Sequence, residues 1–349
     1  MNRPTRRKSG SATVQDVARE AGVSAMTVSR VVNGGFQVRD ATREAVLAAI
    51  EKLSYQPNSA ARSLAAGRAA QIGLLYSNPS ASYLSQLLIG ALEGARLQGS
   101  HLLLQPCNDV SPTAQAEAAR HFVGPDIQGV ILPPPLSESA AVQAELTQAG
   151  TPWVAIALGR MQPGVMNVRI DDHAAAVAMT RHLLELGHRR IGFIRGHPNQ
   201  IASAERYRGF ADALLEAGLD PRDMPVEQGY FTYASGLEAA ERLLAEPNRP
   251  TAIFASNDDM AAAAVGVAHR SGLSIPGDLS IVGFDDTELA TSIWPQLTTI
   301  RQPIAEMARM AVELLLERIR MGEMPEAPER ILPHQLVLRA SSGPASGSA

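Results

Sequence analysis

The sequence predicts a small all-α head followed by an α/β body built from doubly wound parallel sheets. Three observations predict it. Residues 13–33 hold two short helical patterns that meet at Gly22. From residue 69, strand-like and helix-like runs alternate for some 270 residues. Charge divides at the same place: residues 1–68 hold 11 Lys or Arg against 5 Asp or Glu, and the remainder holds 20 against 30. A basic head on an acidic body suits a polyanion-binding module joined to something that does not bind polyanions.

In the head, Thr13 and Asp16 stand at capping-box spacing. Val14, Val17, Ala18 and Ala21 recur with helical period and give one apolar face. Gly22 supplies a turn that a side chain would resist, and Ser24 is a good N-cap for a second helix. There Val28, Val31 and Val32 point one way while Met26, Ser29, Arg30 and Asn33 point the other. That is a helix-turn-helix, its second helix presenting a polar face to a DNA major groove. A third amphipathic helix over 40–53 is expected to be capped by Asp40 and to bury Ala45, Val46, Ala49, Ile50 and Leu53.

Asp16-Val17-Ala18, Ala21-Gly22-Val23-Ser24, Thr27-Val28-Ser29-Arg30-Val31-Val32-Asn33 and Tyr55-Gln56-Pro57-Asn58 resemble the head-piece of the LacI/GalR family of bacterial transcriptional regulators. The resemblance runs to about residue 340. It implies a helix-turn-helix head-piece over 1–56, with 1–11 disordered. Thr13, Ala25, Met26, Thr27, Ser29, Arg30, Asn33 and Thr42 would face DNA, with Met26 and Arg30 on base edges and Asn33 and Thr42 on phosphates. Residues 57–68 read as a helix too short to be stable alone. The resemblance implies a hinge helix that pairs with its dimer mate in the minor groove, using Asn58, Ala61 and Leu64, with the leucine as a wedge.

The body, 69–340, shows strand-like runs at 71–76, 102–105, 129–132, 153–158, 190–194, 251–255 and 279–284, with helical patterns between them. Such a length exceeds one comfortable core and splits in two. The resemblance implies a two-lobed, periplasmic-binding-protein-like fold with a cleft between the lobes. The first lobe is expected at 70–171 plus 301–327, the second at 172–298 plus 328–341. The Ser/Gly-rich tail 341–349 is expected to be disordered. It has no leucine heptads, so a homodimer is expected rather than a zippered tetramer.

In open parallel sheets, ligands bind at the carboxyl ends of strands. Arg206, Asn257 and Asp285 fall near such ends, on positions that by resemblance bind sugar hydroxyls; an Asp and an Arg can hold vicinal hydroxyls by charge-assisted bonds. Phe231 and Tyr83 could stack on a ring face, and Gln302 and Ser77 complete the candidate effector site. One departure stands out: Ala157 occupies the position where the family's strand ends in aspartate. The cleft shows no cluster of Lys and Arg, which favours a neutral sugar over a phosphorylated one.

Cys107 is the only cysteine, which excludes an internal disulfide and favours a reducing compartment. No leader-like apolar segment and no run near 18 apolar residues is seen, so a cytoplasmic, nucleoid-associated protein without membrane contact is expected. Asp258-Asp259 and Asp285-Asp286 could be read as acid and base, but each pair more simply combines a ligand contact with a helix cap. His182 and His188-Arg189-Arg190 lack ligand spacing and read as a solvated turn before a strand. No catalytic residue, metal or cofactor is expected. The expectation is a repressor of carbohydrate-use genes that binds a near-palindromic double-stranded operator under the control of a sugar-like effector. The alternative is a sugar-binding or sugar-processing protein with an appended helical N-terminus.

Overall fold

The computed structural model describes residues 14–32, 39–53, 69–107, 109, 111–159 and 162–345, and only the backbone of Ser29, Arg30, Val32 and Asp40. The expected disordered start, Thr13 of the capping box and the hinge segment 57–68 lie outside these residues. The chain forms two compact units that divide after residue 68.

The head has three helices: α1 (Val14–Glu20), α2 (Ala25–Val32) and α3 (Asp40–Lys52). Val17, Ala18, Val28, Val31, Val46 and Ala49 form its core. Gly22 takes φ +65°, where a side chain costs about 1–2 kcal/mol. Ser24 caps α2, its Oγ accepting from the Thr27 amide at 3.2 Å. Two expectations are corrected here. Asp40 is the first helical residue rather than the cap, a place held by Arg39 without a side-chain bond. Ala45 is exposed, because it lies one residue off the stripe set by Val46 and Ala49.

The body holds two six-stranded sheets. The first contains β1 (Gln71–Tyr76), β2 (His101–Pro106), β3 (Gly129–Leu132), β4 (Trp153–Ile156), β5 (Met166–Arg169) and, from far along the chain, β11 (Glu329–Ile331). The second contains β6 (Ile191–Arg195), β7 (Val226–Gln228), β8 (Ala252–Ala255), β9 (Ser280–Asp285), β10 (Thr298–Arg301) and β12 (Gln335–Val337). The orders are β2-β1-β3-β4-β5-β11 and β7-β6-β8-β9-β10-β12, the same winding twice. Every pairing is parallel except β10 with β12.

The lobe boundaries need one correction. Residues 329–331 belong to the first sheet, beside β5, where Glu329 accepts from Arg169 Nε at 2.9 Å and Pro328 O accepts from the Asn167 amide. The last crossing therefore falls between 331 and 335. The tail is corrected too. Ser341 is fully buried, and its Oγ donates to Ile281 O while accepting from the Thr298 amide at 2.9 Å. The Gly343 amide donates to Ser280 Oγ at 3.0 Å and that of Ala345 to Leu186 O at 2.9 Å. Small side chains let this segment lie flat on the start of β9; residues 346–349 lie outside the described set.

His188 is what the tail closes over. Gly343 O can only accept, so His188 Nε2 carries the proton at 3.0 Å and Nδ1 faces Thr251 Oγ1 at 2.9 Å. The expected solvated turn is thus a buried, neutral imidazole. Arg190 is likewise engaged, donating to Asn248 O and Asp223 O and pairing with Glu246.

Helices α4 (Ala81–Leu97), α5 (Pro112–Phe122), α6 (Ala140–Gln148) and α7 (Asp172–Glu185) follow in chain order. Between β6 and β7 runs α8 (Ile201–Glu216), which carries Arg206. Phe210 of α8 meets Phe193 of β6 at a ring separation of 4.7 Å, and Phe193 meets Phe254 of β8 at 5.1 Å. Such pairs are worth about 0.5–1.5 kcal/mol each beyond burial. They fix the helix against the sheet and thereby fix Arg206.

Candidate functional site

The carboxyl ends of both sheets open onto one cavity between the lobes. The first lobe supplies Asn78, Pro79, Ser80 and Tyr83 after β1, Pro134 after β3 and Ala157 after β4. The second supplies Gln200, Ala202 and Arg206 from α8 and its approach, Phe231 after β7, Asn257 after β8 and Asp285 at the end of β9. Gln302 follows β10. Six of the seven candidate effector residues are brought together: Tyr83, Arg206, Phe231, Asn257, Asp285 and Gln302. Ser77 is not on the wall. It follows β1 and is half-buried, while Asn78 and Ser80 reach the wall.

Arg206 is the organising group. Its Nε donates to Asp172 Oδ1 at 2.8 Å and an NH1 hydrogen goes to Ser256 O at 2.5 Å. Its guanidinium lies 3.6 Å over the Phe284 ring, and NH1 stands 3.8 Å from Asp285 Oδ1. Burial pushes the carboxyls of Asp172 and Asp285 above the usual carboxylate range; Arg206 opposes this at both, and Asp258 adds to it at Asp285. Gln302 Nε2 donates to Asp285 Oδ1 at 2.6 Å.

Among the described residues, two polar atoms on the wall lack partners. Tyr83 Oη and Gln302 Oε1 are buried without a hydrogen bond. Burial pushes the Tyr83 phenol up, so it stays protonated and can donate, while Gln302 Oε1 can only accept. Leaving such groups dry costs about 1–3 kcal/mol each, so the cavity is built to be filled by something polar.

Backbone strain gathers here as well. Among the described residues the non-glycine positions with positive φ are Ala157 (54°), Phe231 (62°), Asp285 (113°) and Asp286 (55°). Three line the cavity. Each costs of order 1–3 kcal/mol and persists only where the surroundings enforce it. The enforcement is visible. Asp286 pairs with Arg301 and Arg339, both at 2.6 Å. Asp258 accepts from Thr299 Oγ1 at 2.7 Å and from the Thr287 amide at 2.8 Å. Burial pushes the Asp258 carboxyl up to about 7 against the pull of those bonds. Phe231 lies on Gly196, where a Cβ would come within 2.0 Å of the ring.

Neither acidic pair supplies the expected helix cap, though Asp285 does line the cavity. Asn257 is the cap of the helix Asp258–Arg270, accepting from the Met260 amide at 3.0 Å and donating to Phe231 O at 3.1 Å. Asp259 accepts from Ser80 Oγ of the other lobe at 2.6 Å. Sequence reasoning missed Asn78, Ser80, Gln200, Asp172 and Asp259. Asp172 follows a strand and opens a helix, which was a usable signal; the others depend on the second lobe being opposite.

In the head, Ala25 and Met26 are exposed and Thr27 and Thr42 are half-buried. Thr27 Oγ1 bonds Ser24 Oγ at 2.9 Å, at the start of α2. The side chains of Ser29 and Arg30 lie outside the described set, as do Thr13, Asn33, Asn58, Ala61 and Leu64. Among the described residues no group of three His, Cys, Asp or Glu could hold a metal, and no helix is long and apolar enough to cross a membrane.

A helix-turn-helix head on a two-lobed α/β body with a polar interlobe cavity defines a ligand-responsive DNA-binding regulator. The comparisons agree. Residues 13–58 match the model of bacterial regulatory proteins, lacI family, and 180–342 match the periplasmic binding protein-like domain. Catabolite control protein A of Priestia megaterium is 35% identical over 95% of this chain and 99% of its own. The HTH-type transcriptional regulator CelR of Thermobifida fusca is 35% identical over 94% of this chain and 98% of its own. A solved complex of the transcriptional regulator CelR with cellobiose superposes with a TM-score of 0.73 at 33% identity, covering 95% of this chain and all of that one. The lac repressor dimer bound to operator and an anti-inducer gives 0.71 at 29% identity, covering 96% and 100%. The chain belongs to the LacI family and is a DNA-binding transcriptional regulator.

Proposed function

We propose that this regulator represses carbohydrate-use genes as a homodimer on a near-palindromic operator, and that an uncharged sugar-like effector in the interlobe cavity sets its DNA affinity. The observation that carries the effector reading is the pair of unpartnered buried atoms, Tyr83 Oη and Gln302 Oε1, facing the cavity beside Asp285 and Arg206. One can donate and one can accept, which suits vicinal hydroxyls. Phe231 offers an apolar ring edge to a sugar face. The relatives support the reading, since one is a complex with cellobiose and another is bound to operator. Tyr83, Arg206, Phe231, Asp285 and Gln302 would contact the effector, with Asn78 and Ser80 in the place expected for Ser77. Asn257 would act by holding Phe231. Met26, Thr27, Ser29, Arg30, Asn33 and Thr42 would read and position on DNA, and the segment 57–68 would carry the lobe arrangement to the head as a population shift.

The test is a thermal-shift screen of the full chain against neutral mono- and disaccharides. A ligand at 100 times its Kd adds roughly 2.7 kcal/mol. Stabilisation by a neutral sugar, lost in Asp285→Asn, is the expected result. No stabilisation across the panel would count against the effector class.

A further inference from the structure

The helix α8 begins at the cavity wall, with Gln200 and Ala202 on the lining. Its N-cap position, Gln200, makes no side-chain bond to the helix. The cap comes instead from the opposite lobe. The Ile201 amide donates to both carboxylate oxygens of Glu138, at 2.9 and 2.8 Å. Glu138 ends a short 3-10 turn (Leu136–Glu138) that follows β3 of the first sheet. A second first-lobe group closes over the same helix end: a Cβ on Gly159 would come within 2.8 Å of the Ala202 amide. Free amides and the helix dipole make such an end a ready anion site. Here a carboxylate already stands on it.

The other long helices that open on the cavity are closed too. Ser80 caps the helix Ala81–Leu97 through the Tyr83 amide, and Asn257 caps Asp258–Arg270. Arg206 is the cation on the described wall, and it is already engaged by Asp172, Ser256 O and Asp285. The polar atoms left over, Tyr83 Oη and Gln302 Oε1, are a neutral donor and a neutral acceptor.

We propose that Glu138 is a charge filter: its carboxylate, supplied from the opposite lobe, fills the anion-binding end of α8, so that the cavity takes an uncharged ligand and rejects phosphorylated or carboxylated ones. This rests on the effector reading above and assigns its specificity to a residue outside the cavity lining. Any anion that reached Gln200 and Ala202 would have to displace the Glu138 carboxylate from the Ile201 amide, which breaks a contact between lobes.

The experiment uses the full chain as parent, Glu138→Gln and Glu138→Ala, titrated with inorganic phosphate against sodium chloride of equal ionic strength. The readouts are melting temperature and the amide resonance of Ile201. Saturable phosphate binding at least tenfold tighter in Glu138→Ala than in the parent, with a smaller gain in Glu138→Gln and movement of the Ile201 resonance, is the expected result. Equal phosphate affinity in parent and variants, or tight phosphate binding by the parent, overturns the proposal. If Glu138→Ala does not fold, Glu138→Gln decides, since its amide oxygen can still accept from Ile201. A parallel arm with neutral sugars reads the effector class separately: failure there leaves the phosphate comparison intact.

Discussion

Arg206 and Asp172 form an ion pair at 2.8 Å in which both side chains are almost fully buried. Asp172 opens the helix Asp172–Glu185 and Arg206 stands on α8, so the pair joins two helices of the second lobe at the cavity wall. Removing one partner leaves an uncompensated buried charge, at about 3–5 kcal/mol. Asp172→Ala is expected to lower the melting temperature by on the order of 10 °C, where Asp220→Ala, on an exposed pair with Arg222, moves it little. Calorimetry of the two variants checks this; equal losses would contradict it.

Gly196 sits under the Phe231 ring, and a Cβ there would come within 2.0 Å of it. Gly196→Ala should push the ring from its place, reducing effector affinity at least tenfold while the far-ultraviolet spectrum is kept. Titration calorimetry with the sugar found in the screen decides; unchanged affinity would mean that Phe231 does not face the ligand.

Ala157 takes φ 54° where glycine fits without strain. Ala157→Gly should therefore raise stability, by about 0.5–1 kcal/mol after the entropy of the unfolded glycine is counted. Urea unfolding with an unchanged slope is the check, and a destabilised variant would contradict the strain argument.

Burial pushes the His188 imidazole below its usual range, with the Gly343 carbonyl pulling up and His182 pushing down. The unfolded chain then takes a proton first as pH falls, so the folded state loses stability from about 6.5 downward until the folded group also titrates. Parent stability should fall between pH 7 and 5 more steeply than that of His188→Gln. Parallel slopes would show that another group carries the pH dependence.

In the head, Met26 is 67% exposed at the start of the second helix of the helix-turn-helix. Met26→Ala and Arg30→Ala should each weaken cognate operator binding by about 1–3 kcal/mol, and Arg30→Ala should relax preference at one base position. Leu64→Ala should weaken operator binding and leave sugar binding unchanged. Anisotropy titrations at fixed salt test all three, and operator affinity equal to the parent in each would remove the assigned recognition surface.

The head and both sheets were legible because their signals are local. Val17, Val28 and Val46 keep helical spacing, and β1 and β9 read as continuous apolar runs. The strands at 166–169, 226–228, 298–301, 329–331 and 335–337 were not legible; in two of them Asn167, Thr298 and Thr299 are polar residues buried only through partners elsewhere, Asn167 donating to Leu158 O and Thr299 to Asp258. The tail failed for the same reason, since Ser341 and Gly343 look like linker until His188 and Ser280 are opposite them. At the site, residues at strand ends such as Asp285 could be found along one sheet. Glu138, Ser80 and Asp259 could not, because each acts across the cleft.

The central claim is that ligand in the cavity sets DNA affinity. The most direct measurement selects genomic fragments bound by the full-length protein, then titrates the strongest with and without saturating sugar, for the parent and Asp285→Asn. The account predicts at least a tenfold change in operator Kd with sugar in the parent and none in Asp285→Asn, whose ligand-free affinity stays within a few-fold. An operator Kd that sugar leaves unmoved in the parent, while the sugar demonstrably binds, would contradict it.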